Sequence, residues 1–297
     1  MNDPQFRLFF GIFIISCVVP LGAYAQTDLT PEQLVLLMKA SREQYNGISA
    51  KMKATSYQYD ADNKAEPKIK STREIISRWT KDKSFSQTIQ TKYREGTLPK
   101  DYPPTTIYTC VITSKWSKRL VEVPDGRRPR GYIMPGRAFE QELPFYTVYT
   151  ALWGLCGYPW EKMNLDEATI TRDEETSLYI MKVKIGDSPK GPFLRLYVDT
   201  SKGYIPIKQE PLKHDGTLMI RYECSDFHQR NGLWIPYRYS WFDPKVNFGA
   251  VYEVQEVAVN QPIPSNLLDF EFPEGTIVSD DRIGSTYTVG KASTGQA

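Results

Sequence analysis

Past Gly47 the chain runs in period two, and that alternation limits what it can fold into more than any other feature. Ile48, Ala50, Met52 and Ala54 fall on one side and polar residues on the other, the pattern of a strand with one buried face. After a turn-like stretch at 60–64, segments 72–79 and 84–93 read as a hairpin around Lys81, Asp82 and Lys83. A Pro-rich break at 98–104 precedes strand candidates at 106–113 and 116–123. Further strands are expected at 168–172, 177–185, 193–199, 206–212, 218–228, 234–242 and 251–259, with a last one at 283–289. Short strands joined by tight turns form a meander, because parallel neighbours need long crossovers. About eleven strands with two or three helices thus predict a mainly β fold, a single large antiparallel sheet curled around helices.

One helix is marked at its start. Thr30-Pro31-Glu32-Gln33 supplies an N-cap threonine, proline at the first helical position and a glutamine to close a capping box. Leu34, Leu37, Met38 and Tyr45 follow at helical spacing, and Asn46-Gly47 ends the segment, so a helix is predicted over 31–45. Its apolar stripe needs a surface to cover, and the concave side of the sheet is the expected one. A second helix, buried, is predicted around Phe145 to Leu155, within an uncharged stretch that shows no strict alternation.

The start of the chain reads as an export signal. Leu8 to Val19 is apolar, too short to span a bilayer and of the length of a signal-peptide core. Pro20 and then Ala23-Tyr24-Ala25 place cleavage after Ala25. Residues 1–25 are therefore expected to be a signal peptide and 26–297 a single domain, exported to the periplasm or cell envelope. A second reading takes Ile14-Ile15-Ser16-Cys17 as resembling a lipobox, which would anchor the protein through a lipidated Cys17; that cut leaves Val18 to Ala25 as an apolar stub. Cys110, Cys156 and Cys224 match no C-x-x-C pattern. They permit one disulfide without showing which pair would form it, and buried small residues are the simpler reading.

Several function classes lose support. With 37 Lys+Arg against 35 Asp+Glu, the net charge of +2 provides no field for nucleic acid. Two histidines, His214 and His228, are too few for the usual zinc or iron sites, so no metal or other cofactor is expected. No G-x-S-x-G elbow, phosphate loop or H-E-x-x-H occurs, and His214-Asp215-Gly216 sits where a turn is predicted. Spacing does not support pairing Cys110 with either histidine. Glu223 with Asp226, and Asp280 with Asp281, read as charges on solvated edges. Arg127, Arg128 and Arg130 read as a solvated loop, with contact to lipid headgroups at a membrane surface as the functional alternative. An enzyme is not predicted.

Four stretches carry a resemblance. Leu196 to Glu210 is strand, Asp-Thr-Ser-Lys-Gly turn and strand; Arg221-Tyr-Glu-Cys-Ser-Asp-Phe227, Asn231-Gly-Leu-Trp-Ile-Pro-Tyr-Arg-Tyr239 and Asp269-Phe-Glu-Phe-Pro-Glu-Gly-Thr-Ile-Val-Ser-Asp280 follow in order. Together they resemble the bacterial outer-membrane lipoprotein-sorting and lipoprotein-carrier superfamily, the LolA-like group, related in fold to LolB and to the N-terminal domain of RseB. The likeness spans about 180–280, with the opening helix and first strands matching more loosely. It implies an unclosed β-barrel, or half-barrel, with helices on a concave face lined by hydrophobic side chains that shelter acyl chains. The insert at 124–130 and the stretch after Asp280 depart from the carriers.

Aromatic residues are abundant, with 19 Tyr, 13 Phe and 6 Trp, and they supply the candidate wall. Phe145, Trp153, Leu196, Trp234, Tyr237, Tyr239 and Trp241 are the candidate ligand-binding residues. Tyr237, Tyr239 and Trp241 share a face opposite Pro236, Arg238 and Ser240, and which face it is depends on a register that a slip of one residue inverts. Alternation of this kind equally describes ordinary core. The function expected is a non-catalytic lipid- or lipoprotein-binding protein of the envelope, with acyl chains or lipoproteins as partners. The alternative uses the same half-barrel for sensing or scaffolding, as in RseB-like relatives, without transport.

Overall fold

The computed structural model describes residues 29–60, 66–81, 83–92, 105–136, 162–173 and 175–290. The expected signal peptide, the predicted helix around Phe145 and the side chains of Trp153 and Cys156 lie outside them.

The helix α1 (Pro31–Glu43) starts as its sequence specifies: Thr30 Oγ1 accepts from the Gln33 N–H and Gln33 Oε1 accepts from the Thr30 N–H. It stops two residues short of the expected end, because Asn260 seizes the junction. The Asn260 side chain donates to the Gln44 carbonyl and accepts from the Asn46 N–H, each at 2.7 Å. Tyr45 is released from the helix, buried, and its hydroxyl donates to the Trp234 carbonyl at 2.8 Å.

The strands are β1 (Gly47–Gln58), β2 (Lys68–Thr80), β3 (Lys83–Lys92), β4 (Thr105–Thr113), β5 (Trp116–Glu122), β6 (Arg130–Pro135), β7 (Met163–Asp173), β8 (Leu178–Ile185), β9 (Phe193–Asp199), β10 (Ile205–Leu212), β11 (Arg221–Arg230), β12 (Leu233–Asp243), β13 (Phe248–Val259), β14 (Ile277–Asp280) and β15 (Ser285–Thr288). All fifteen belong to one sheet in the order β15-β14-β6-β5-β4-β3-β2-β1-β13-β12-β11-β10-β9-β8-β7. It is two meanders, β1–β6 and β7–β13, joined where β1 pairs antiparallel with β13. The end strands β15 and β7 do not meet, so the barrel stays open. Irregularities in register between Lys51 and Met52, Ser56 and Tyr57, and Pro206 and Lys208 accompany the curl, since a bulge bends its strand and sharpens the twist.

The strand pattern departs from expectation in three places. Among the described residues fifteen strands form instead of about eleven, and β6 and β14 were not foreseen. Both are short, and β6 is bracketed by Pro129 and Pro135, which read as strand breakers. The sheet is not wholly antiparallel, because β14 joins β6 in parallel.

That parallel pair depends on the segment between β13 and β14, which crosses the outer face of the sheet. Leu268, Ile263 and Phe270 pack there on Phe85, Val111 and Trp116. Asp269 is bound by Lys83 at 2.7 Å and Lys118 at 3.4 Å, and the Lys118 ammonium also lies 4.5 Å from the Phe270 ring centre and donates to the Phe270 carbonyl. Gly131 on β6 is needed for this approach: a Cβ there would lie 2.6 Å from the Phe272 ring. Burial pushes the Asp269 carboxyl up, while Lys83, the Phe270 N–H and Lys118 outweigh it and hold the group below its usual range. A depressed carboxyl stabilises the fold above its unfolded pKa and ceases to do so as pH falls through the folded value. Asp269→Asn should therefore cost about 1 kcal/mol near neutral pH, and urea-unfolding midpoints of variant and wild type should converge as pH falls below the ordinary Asp range of about 4 and through the depressed folded value.

Candidate functional site

Directly paired residues in a sheet lie on the same face, so the register carries the inner face from strand to strand. On β1 it consists of Ile48, Ala50, Met52, Ala54 and Ser56, all buried. Leu34, Val35 and Met38 of α1 share one core with that row and with Met181, Val183, Leu194, Leu196, Val198 and Ile205 of the second meander. Helix α1 thus fills the β7–β10 part of the concavity. Leu196, expected as wall, is fully buried between Met181 and Gln209.

The register also settles the β12 aromatics. Ile235 and Tyr239 are core residues, and Tyr237 and Trp241 are half-buried against the same core, whereas Arg238 between them is exposed. Tyr237, Tyr239 and Trp241 therefore point inward. Trp234 lies near the end of α1, half-buried, with the Lys202 ammonium 6.0 Å from its ring centre. The inward aromatics continue across strands: Tyr239 lies 6.3 Å from Tyr222 on β11 and 5.7 Å from Tyr252 on β13, and Trp241 is 5.6 Å from Phe248. Below them the floor is made of small residues. Tyr252 faces Ala54, and Trp241 is followed across the sheet by Ala250 and Ser56.

From β2 onward the inner face changes character. The same register continues from β1 into Ser71, Arg73, Ile75, Ser77 and Trp79 of β2, then Ser86 and Thr88 of β3, Thr106 and Cys110 of β4 and Ser117 of β5. Ser77, Ser86, Thr88, Thr106 and Ser117 are buried. A concave face lined by hydrophobic side chains was expected; in this half buried hydroxyl groups alternate with an apolar patch in which Cys110 and Ile112 pack with Tyr132 and Met134. Alternating Ser and Thr read in sequence as a solvated face, and only pairing with β1 turns them inward.

Arg73 sits where the two halves meet. Its Nη2 donates to Ser56 Oγ at 2.9 Å and to the Tyr252 hydroxyl at 3.4 Å, and its guanidinium carbon lies 5.6 Å from the Tyr252 ring centre. No carboxylate pairs with it among the described residues. Its buried Nε–H has no hydrogen-bond acceptor, nor has the buried indole N–H of Trp241.

Other chemistry is scattered. Cys110 on β4 and the histidines near β10 and β11 lie in different halves of the sheet, so no thiol–imidazole pair forms. His214-Asp215-Gly216 is a turn, closed by the Thr217 N–H on Asp215. Nε2 of His228 is 2.9 Å from Asp226, with both side chains exposed. Asp280 corrects the solvated-edge reading: it is buried at the end of β14 and held by Arg282 at 2.6 Å, because the β6 pairing draws it in. Arg127, Arg128 and Arg130 are exposed, with Arg127 on Asp125. On the outer face Glu210 is almost wholly buried and gathers Lys208 and Arg221 at 3.1 Å, Arg195 at 3.3 Å and the Tyr197 hydroxyl. Burial raises its carboxyl pKa, and these partners outweigh that and lower it. Among the described residues no helix is long and apolar enough to cross a membrane, and no three His, Cys, Asp or Glu side chains gather as metal ligands.

No protein-family model and no curated protein matches the chain. Comparison with solved structures finds an outer membrane lipoprotein-sorting protein domain from Vibrio parahaemolyticus, at 13% identity over 78% of this chain and 93% of that one, with a TM-score of 0.48. A LolA superfamily protein from Nitrosomonas europaea follows at 12% identity, 82% and 99% coverage and a TM-score of 0.47. The MucA/MucB complex of Pseudomonas aeruginosa is also found, at 11% identity, 80% and 60% coverage and a TM-score of 0.28.

Cys224 reports on the closure of the aromatic face. It pairs with Tyr239 and is buried; burial, and next the charge of Glu223, push its thiol up to about 12. N-ethylmaleimide at pH 8 should leave Cys224 unlabelled in the folded protein and label it fully in denaturant, as read by mass spectrometry of its tryptic peptide.

Proposed function

We propose that the protein holds acyl chains, free or borne by a lipoprotein, against the inner face of its half-barrel, and that it does so in the cell envelope without catalysis. One observation carries this reading: Tyr222, Tyr237, Tyr239, Tyr252 and Trp241 face inward over a floor of Ala54 and Ala250, and Tyr222, Tyr237 and Trp241 remain half-exposed. Large flat rings above small residues make an apolar trough, and an acyl chain needs area rather than a polar triad. Each methylene covered is worth about 0.8 kcal/mol. The resemblance of residues 180–280 to lipoprotein carriers points the same way, and Phe145 and Trp153 remain candidates for the same wall.

The filled β7–β10 half favours a second reading. Leu194, Leu196 and Val198 have no exposure beneath α1, so that half acts as a rigid core, as a sensing or scaffolding domain would require.

A fluorescent fatty-acyl probe distinguishes the two. On the carrier reading, wild type binds it, and Trp241→Glu with an unchanged far-UV spectrum loses at least about tenfold in affinity, because an ionised group on the trough wall goes unpaired. Equal binding by both proteins, or none by either, leaves the half-barrel as a scaffold.

A further inference from the structure

We propose that Arg73 and Trp241 form a headgroup site for an anionic amphiphile at the boundary between the two halves of the inner face; this rests on the acyl-holding reading and adds the chemistry of the bound molecule's polar end. Two buried donors, Arg73 Nε–H and Trp241 Nε1–H, lack acceptors on the same face of the sheet. An unmade hydrogen bond at a buried donor costs about 1–3 kcal/mol, and the described residues hold three such side-chain atoms, the third being Thr276 Oγ1. Two of the three therefore fall on the inner face of the sheet.

Their spacing suits one ligand. Trp241 is followed across the sheet by Ala250 and then by Ser56, whose hydroxyl accepts from Arg73. Two strand spacings, about 10 Å, separate the backbones of Trp241 and Ser56. The residues between, Ala250 and Ser56, are small and buried, so a headgroup enters beneath the half-buried Trp241 ring and not through an open gap. Arg73 has no carboxylate partner among the described residues, and its other contacts are the neutral hydroxyls of Ser56 and Tyr252. A guanidinium so placed selects a carboxylate or a phosphate, which accepts charge-assisted hydrogen bonds. The indole N–H, a neutral donor, takes a second oxygen of the same headgroup. The acyl chain then leaves toward Tyr239 and Tyr222, where the face is apolar.

Equilibrium binding of radiolabelled oleate, methyl oleate, lysophosphatidate and monoacylglycerol to the full chain tests the site. Wild type should prefer each anionic lipid to its neutral counterpart by about tenfold, the worth of one charge-assisted hydrogen bond. Arg73→Gln should abolish both preferences by weakening the anions more than their neutral counterparts, and Arg73→Lys should keep part of them. A preference seen only for oleate identifies a carboxylate headgroup, and one seen only for lysophosphatidate a phosphate. Equal binding of charged and neutral lipids by wild type overturns the headgroup site and leaves acyl holding intact, a result that needs no variant to fold. Failure of all four lipids to bind overturns both.

Discussion

Pairing of β1 with β13 is the interaction on which the rest of the architecture depends. It joins Ile48 to Val259 and Gln58 to Phe248, closing the longest loop in the sheet and fusing two meanders that would otherwise each expose an edge. It also fixes which face is inner throughout, because a slip of one residue would exchange the faces. Asn260 secures this register at one end by tying Gln44 and Asn46 to the turn after β13. The aromatic face of β12 and the position of Arg73 both follow from that single alignment.

What the sequence disclosed, and what it withheld, follows the range of the interactions involved. Helix α1 and the β2–β3 hairpin were legible because a capping box and a two-sided alternation are local signals. Strand β6 was hidden by flanking prolines, and β14 exists because a partner arrives from far away in the chain. Tyr237, Tyr239 and Trp241 were legible as one face but not as the inner one. Arg73 was invisible as a site residue: an arginine between Thr72 and Glu74 looks solvated until Ala54 is seen opposite it.

The stretch Asp269 to Thr276 shows the same dependence on distance. Read along the chain it is a family-like string of acidic residues and phenylalanines. In the fold its parts separate into tasks: Asp269 gathers Lys83 and Lys118, Phe270 seals the outer core, Phe272 occupies the space left by Gly131, and Thr276 leads into β14. The open sheet thus has a cover on its outer side that comes from neither meander.

That cover is made only after both meanders. During synthesis from the N-terminus, β1–β6 can assemble long before residues 261–280 exist. Until then Phe85, Val111 and Trp116 present a bare apolar patch, and β6 presents an unpaired edge. The first meander is therefore an unfinished surface for most of the protein's biogenesis, and a polypeptide truncated after β13 would keep its α1 core yet behave as an aggregation-prone intermediate.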